Sequence, residues 1–185
     1  MLTDEERDYL GRVTRVMQII VAAMVAGTAS FFGVVLLMEP PPGAALGDRR
    51  LTYISAAIGF LAPAVAAVLP RLVLRKHRQA MLVGNAAAAA AAKIPALPDS
   101  LREVGAIAAG YQTALIIRCA LIEGAAFFSL VAFMFERQTL SLVVAGALLL
   151  ALASCFPTRS RVEEAVETER REIEQLRPME PTDAR

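Results

Sequence analysis

Apolar residues along this chain gather into four long runs, residues 16–38, 51–69, 111–135 and 140–156, and charge is concentrated in the segments between and around them. An α-helix rises 1.5 Å per residue, so about 20 apolar residues cross a hydrocarbon core of about 30 Å. The third run, YQTALIIRCALIEGAAFFSLVAFMF, is long enough to cross with some tilt. The pattern predicts an all-α integral membrane protein with four transmembrane helices arranged as two antiparallel hairpins. Residues 1–15 form a helix start, 16–156 the four-span domain with a loop at 70–110, and 157–185 a charged helix and tail.

Helix boundaries follow from local chemistry. Thr3-Asp-Glu-Glu6, Ser100-Leu-Arg-Glu103 and Ser160-Arg-Val-Glu163 share the capping-box spacing, in which a hydroxyl takes a free amide and the glutamate reaches back. Glu39-Pro-Pro-Pro-Gly ends the first helix, because proline lacks the amide donor and restrains the residue before it. Pro63 bends the second span, and Pro70-Arg71 ends it. The seven-alanine tract at 86–92 favours a short helix within 79–98, terminated by Pro95 and Pro98. Glu136-Arg137-Gln138 is so short a connection that the third and fourth spans must be antiparallel neighbours. In the last segment Val162, Val166, Ile173 and Leu176, with Ala165, make a thin apolar stripe among alternating charges, which reads as a solvated juxtamembrane helix.

Small residues suggest where helices meet. Gly27, Thr28, Ala29 and Ser30 cluster near the middle of the first span and predict a packed face, since close backbone approach drives helix association in lipid. The runs IIVAAMVAGTASFF from Ile19 and IIRCALIEGAAFF from Ile116 match at paired isoleucines, an alanine, the glycine, a second alanine and, after one gap, paired phenylalanines. Duplication of a hairpin and chance similarity of apolar segments both produce that match. Val21 and Ala26 stand where the third span has Arg118 and Glu123.

Composition agrees with the membrane reading: 56% of the 185 residues are hydrophobic and 20% charged. The net charge of +1 conceals an asymmetry that sets orientation. Lys and Arg number three before the first span, two in the first loop, six in the second, one in the third and six after the fourth. The positive-inside rule then places both termini and the 70–110 loop in the cytoplasm, giving a multi-pass protein of the cytoplasmic membrane. The first run is longer than a signal-peptide core and follows an acidic, mixed start, so it reads as a retained anchor. Arg75, Lys76 and Arg78 lie next to the inner face, where a basic run attracts anionic lipid. As a nucleic-acid patch this run is too short and lacks interleaved aromatics.

Candidate chemistry is sparse. With one histidine, His77, in the basic loop, and two cysteines, Cys119 and Cys155, in the spans, neither a disulfide framework nor a metal site is supported, and no cofactor motif occurs. No nucleophile with base and orienter, and no phosphate loop, points to an enzyme. The exception is the third span. Glu123 falls at the middle of its count, where an uncompensated charge costs at least ~2.5 kcal/mol. Arg118, five residues earlier, lies about 140° round the helix and about 7.5 Å toward the cytoplasm, from where it can snorkel out. Three readings of Glu123 are open: a neutral carboxyl bonded to a hydroxyl such as Thr28, an ion pair with another helix or subunit, or a carrier of protons or cations, with the Pro63 kink at similar depth.

The segment ALIEGAAFFSLVAF, residues 120–133, resembles the carboxylate-bearing helix of the rotary ATP synthase proteolipid, subunit c, with Ala-Leu, a spacer, the glutamate and a Leu-Val-rich half. The resemblance covers about one helix of four and implies Glu123 as an ion-binding carboxylate. The second span lacks that family's close-spaced glycines, the loop has alanine where the family has proline, and Arg118 and two further spans are departures. Two functions are therefore expected. One is an ion- or proton-handling membrane component using Glu123, with Arg118, Thr28 and Pro63 in support. The other is an interaction protein that assembles with copies of itself or with membrane or cytoplasmic partners, its glutamate buried and neutral.

Overall fold

The computed structural model of the chain describes residues 2–39, 49–82 and 98–176. Among them every regular element is helical: α1 Asp4–Leu37, α2 Arg50–Leu82, α3 Asp99–Glu136, α4 Thr139–Ser154 and α5 Arg159–Leu176. Three helices, α1, α2 and α3, are long and apolar enough to cross a membrane, and the number rises to four if α4 is counted together with α5. Sixteen residues of α4 rise only ~24 Å, which is short of a straight crossing.

The chain divides into two compact units. One takes the charge-rich segments Met1–Arg15, Leu72–Thr113 and Pro157–Arg185, and the other the apolar segments Val16–Arg71 and Ala114–Phe156.

In the apolar unit, α3 is the central helix. Of its apolar window 44% is buried, against 17% in α1 and in α2. Val35, Leu130 and Ala145 form a buried cluster from α1, α3 and α4, flanked by Phe31, Phe32, Phe133, Met134 and Leu142. Contacts fix the directions. Phe31 meets Phe127 with ring centroids 5.2 Å apart, and Arg137 bonds the carbonyl of Met38, so α1 and α3 run parallel. Ser55 is bonded to Ser141, and Gly59 lies against Val144 and Leu148, so α2 and α4 also run parallel. Leu130 clusters with Ala145 across the two-residue Arg137–Gln138 connection, which makes α3 and α4 antiparallel, as so short a connection requires. The matched phenylalanines of the two similar runs, Phe31 and Phe127, are thus in direct contact.

Outward positions remain strongly apolar: Phe60 is 83% exposed, Leu150 74% and Ile19 68%. Water penalises such a surface and hydrocarbon does not, in keeping with a multi-pass membrane protein.

Several boundaries differ from expectation. The helix does not stop at Pro70; α2 continues through it to Leu82, with Pro63 also inside. Each proline costs one backbone hydrogen bond, and the leucine- and arginine-rich sequence beyond Pro70 favours helix strongly enough to continue. The helix expected within 79–98 is replaced as far as Leu82 by this continuation, and the alanine tract lies outside the described residues. The packed face expected at Gly27–Ser30 is reduced to Thr28: Gly27, Ala29 and Ser30 are exposed, and nothing lies within 4 Å of a Cβ built on Gly27.

In the charge-rich unit, the first capping box forms as its spacing predicts. The Thr3 amide donates to Glu6 Oε2 at 2.7 Å and the Glu6 amide to Thr3 Oγ1 at 3.3 Å. The box at Ser160 does not form. Helix α5 starts at Arg159, the amide of Val162 bonds the carbonyl of Thr158, and Glu163 is taken by Arg159 at 2.7 Å. A glutamate four residues after an arginine has an ion-pair partner on its own helix face, and here that pairing prevails over the reach back to Ser160. Nor is α5 simply solvated. Its stripe of Val162, Val166 and Ile173 is buried, Arg170 pairs with the buried Glu6 at 3.3 Å, and Arg159 donates to the carbonyl of Arg7.

Candidate functional site

The sequence singles out Glu123, and the structure places it at the edge of the buried face of α3. Cys119 and Ala126, one turn to either side, are fully buried, and Ala120 and Gly124 are exposed. The glutamate itself is half-buried. Among the described residues its carboxylate has neither a hydrogen bond nor an ion pair. Thr28 is buried, and its hydroxyl donates its proton to the carbonyl of Met24 on its own helix at 3.0 Å. Arg118 is exposed, on a different face from Glu123. Pro63 is exposed on α2. The structure thus joins none of these three supporting residues to Glu123 by a hydrogen bond or an ion pair. Of the proposed lipid-facing cations Arg75 and Lys76 are exposed, and the side chain of Arg78 lies outside the described residues.

A second polar centre, which sequence reasoning missed, lies at the other end of α3. Glu136, its last residue, is 5% exposed. Oε1 accepts the Leu51 amide at 2.7 Å, and Oε2 accepts the Thr52 amide at 2.8 Å and the Thr52 hydroxyl at 2.6 Å. Ser141 donates to the Thr52 hydroxyl at 3.1 Å, and Ser55 donates to the Thr52 carbonyl at 2.9 Å. Thr52, Ser55 and Ser141 are all buried.

This arrangement has a local cause. Helix α2 starts at Arg50, so Arg49 holds the N-cap position and its side chain has no acceptor to offer. The amides of the first turn need one, and Glu136 supplies it from another helix. Burial works against the charged form of this carboxyl. The Thr52 hydroxyl and the two backbone amides outweigh that cost and hold its pKa below the usual carboxylate value. The neighbouring Arg137, in the left-handed region at φ 51°, donates to the carbonyl of Met38 at 2.6 Å and lies 5.3 Å from the centroid of the Phe133 ring. Consecutive residues therefore put a negative charge on the start of α2 and a positive charge on the end of α1, each favourable to the helix dipole it meets. With its acceptors filled, Glu136 is an architectural group.

No group of three or more His, Cys, Asp or Glu residues that could hold a metal occurs among the described residues. Comparison with protein-family models, with curated proteins and with solved structures finds no match to this chain.

Proposed function

We propose that this chain is a multi-pass protein of the cytoplasmic membrane, with both termini and the 70–110 loop inside, that works by assembling with another membrane protein or a further copy of itself through the Glu123 face of α3. The observation that carries this is a carboxyl without a partner among the described residues: Glu123 sits half-buried in the middle of an apolar run beside the small, exposed Ala120 and Gly124. A carboxyl left facing hydrocarbon is expensive, and small neighbours let a second helix come close enough to bond it. The exposed Arg75 and Lys76 would rest against anionic headgroups at the inner face.

Crosslinking in native membranes, with a photoreactive residue at position 120, tests the assembly. The expected result is a discrete crosslinked species that Glu123→Leu removes while Glu123→Gln, which keeps a hydrogen-bonding amide, largely preserves it. A crosslinking pattern identical in all three proteins would sink the proposal.

An ion- or proton-handling role is the second reading, favoured by the same absence of a fixed partner on Glu123. It predicts proton or cation flux in reconstituted vesicles that Glu123→Gln abolishes, and flux unchanged by that substitution removes it.

A further inference from the structure

Helix α5 carries two neighbouring stripes. Val162, Val166 and Ile173 are buried in the charge-rich unit, while Arg161, Glu164, Ala165 and Thr168, at helical spacing, share a second line along the same helix. That second line is one wall of a cavity of about 420 Å³, faced by Leu74 of α2 and by Ile107 and Tyr111 of α3. All of these residues belong to the charge-rich unit. Ile107 is buried, and Leu74, Tyr111 and Ala165 are half-buried, so the floor is apolar; Arg161, Glu164 and Thr168 are exposed at its rim.

The sequence leaves this rim without local partners. Elsewhere on α5 the arginines pair one turn away, Arg159 with Glu163, Arg170 with Glu174 and Arg171 with Glu167. One turn from Arg161 stand Pro157 and Ala165, and one turn from Glu164 stand Ser160 and Thr168, none of them charged. Among the described residues neither the Arg161 guanidinium nor the Glu164 carboxylate is in an ion pair. The Thr168 hydroxyl gives its proton to the Glu164 carbonyl at 2.8 Å, so its oxygen can only accept from a ligand. Glu169 also borders the cavity, which leaves the rim with more negative than positive charge. A ligand that fits combines an apolar body, one anionic group for Arg161 and a cationic donor for Glu164 and Thr168.

We propose that this cavity holds the head of a phospholipid with a primary amine, of the phosphatidylethanolamine class. The inference rests on the multi-pass reading proposed above, under which Leu74, just past the apolar run 51–69, and Tyr111, which opens the run 111–135, lie at the level of the inner headgroups. The phosphate meets Arg161, whose planar fork of donors suits phosphate oxygens. The ammonium donates to the Glu164 carboxylate and the Thr168 oxygen, and the start of the acyl chains runs along Leu74, Ile107 and Tyr111. Residues three apart on a helix have Cβ atoms about 5–6 Å apart, a span that the short ethanolamine link between phosphate and ammonium can bridge. A choline head presents methyl groups where Glu164 and Thr168 need a donor. A glycerol head brings no cation to offset the carboxylates. The cavity is of small-molecule size, so it takes the head and leaves the rest of the chains to the bilayer.

The test mixes the purified full chain in detergent micelles with dioleoyl phosphatidylethanolamine or dioleoyl phosphatidylcholine and counts bound lipid by native mass spectrometry. The wild type should retain roughly three- to fivefold more of the ethanolamine lipid. Glu164→Gln should bring that lipid down to the choline level, and Arg161→Gln should lower both. Phosphatidylglycerol, drawn to Arg75 and Lys76, should bind Glu164→Gln no less than the wild type. Excess water-soluble O-phosphoethanolamine, which has the head but no chains, should displace nothing. The proposal is overturned if the wild type retains the two zwitterionic lipids equally, if its preference survives Glu164→Gln, or if O-phosphoethanolamine competes. The wild-type comparison needs no variant, so a variant that fails to fold does not protect the idea. Release of the chain from native membranes by alkaline carbonate would overturn the multi-pass reading together with this site, whereas equal retention by a chain that resists carbonate overturns the site alone.

Discussion

Glu136 accepts both the backbone amide and the hydroxyl of Thr52, so the last residue of α3 serves as the N-terminal cap of α2. A helix start lacking its own capping side chain borrows one from across the bundle. Charge-assisted hydrogen bonds of this sort are worth roughly 1.5–3 kcal/mol each, and removing the acceptor strands buried donors. Glu136→Ala should therefore lower stability by about 2–4 kcal/mol, read as a fall in the thermal midpoint in detergent. Thr52→Val, which removes one of the three bonds, should cost about half as much. Equal midpoints for the wild type and Glu136→Ala would show that the cap contributes nothing.

The same carboxyl makes stability depend on pH with a definite sign. Its pKa is depressed in the folded protein, so the folded state binds fewer protons than the unfolded one. The contribution is complete above the unfolded carboxyl's value of about 4.3 and is lost as pH falls from there through the folded value. Measured between neutral pH and about 3, the wild-type midpoint should drop more than that of Glu136→Gln, whose amide does not titrate. Parallel curves would argue that other carboxylates dominate.

Arg137 couples a backbone cost to a side-chain gain. A non-glycine residue at φ 51° carries about 1 kcal/mol of strain, offset here by the bond to the Met38 carbonyl and the Phe133 contact. Arg137→Ala keeps the strain and loses both contacts, and should destabilise by about 1–2 kcal/mol. Arg137→Gly loses the contacts but also the strain, and should sit about 1 kcal/mol above the alanine variant. Should glycine prove worse than alanine, the side-chain account of this turn is wrong.

What the sequence made legible were the features that depend on neighbours along the chain. Helical class and the approximate extent of the apolar runs follow from hydrophobicity, and the Thr3–Glu6 box from two residues three apart. Glu136 was not legible because its partners, Leu51 and Thr52, are 85 and 84 residues away. A signal existed nonetheless, in an α2 start with arginine at its cap and hydroxyls at Thr52, Ser55 and Ser141. Ser160–Glu163 shows the opposite failure, a correct motif overruled by an arginine one turn before the glutamate. The stripe on α5 looked too thin to bury because counting residues says nothing of what packs against them. At the candidate site, Glu123 could be located from its depth in an apolar run, but the engagement of Thr28 with Met24 depended on rotamer and packing.

Gly59 packs α2 tightly against α4. A Cβ placed there would overlap Val144 Cγ1 and touch Leu148 Cδ1 at 3.5 Å, so with Val144 as it stands the helix pair is fitted to glycine at this position. Gly59→Ala should cost about 1–3 kcal/mol through overpacking, despite alanine's better helix propensity. Val144→Ala removes the obstructing methyl, and the double variant should recover most of the loss. A double-mutant cycle showing simple additivity would mean that the helices separate freely and that the contact carries no constraint.

The buried face of α5 changes how its partners should be sought. Deleting residues 160–185 would remove Val162, Val166 and Ile173 from the core of the charge-rich unit, together with the Arg170 partner of Glu6. Partner loss after such a deletion would then report unfolding as readily as lost recognition. Substitutions separate the two. Val166→Ala should destabilise by about 1–2 kcal/mol through the cavity it leaves, and Glu6→Gln by about 1–2 kcal/mol through the weakened cap and ion pair. Arg161→Glu and Arg171→Glu, at exposed positions, should change the midpoint by no more than about 0.5 kcal/mol. If α5 recognises a cytoplasmic partner, only the exposed-charge variants should lose it while hydrogen exchange across residues 2–15 stays at the wild-type level. Rapid exchange there in those variants would mean that the outward charges hold the unit together, and that the helix has no face to spare for a partner.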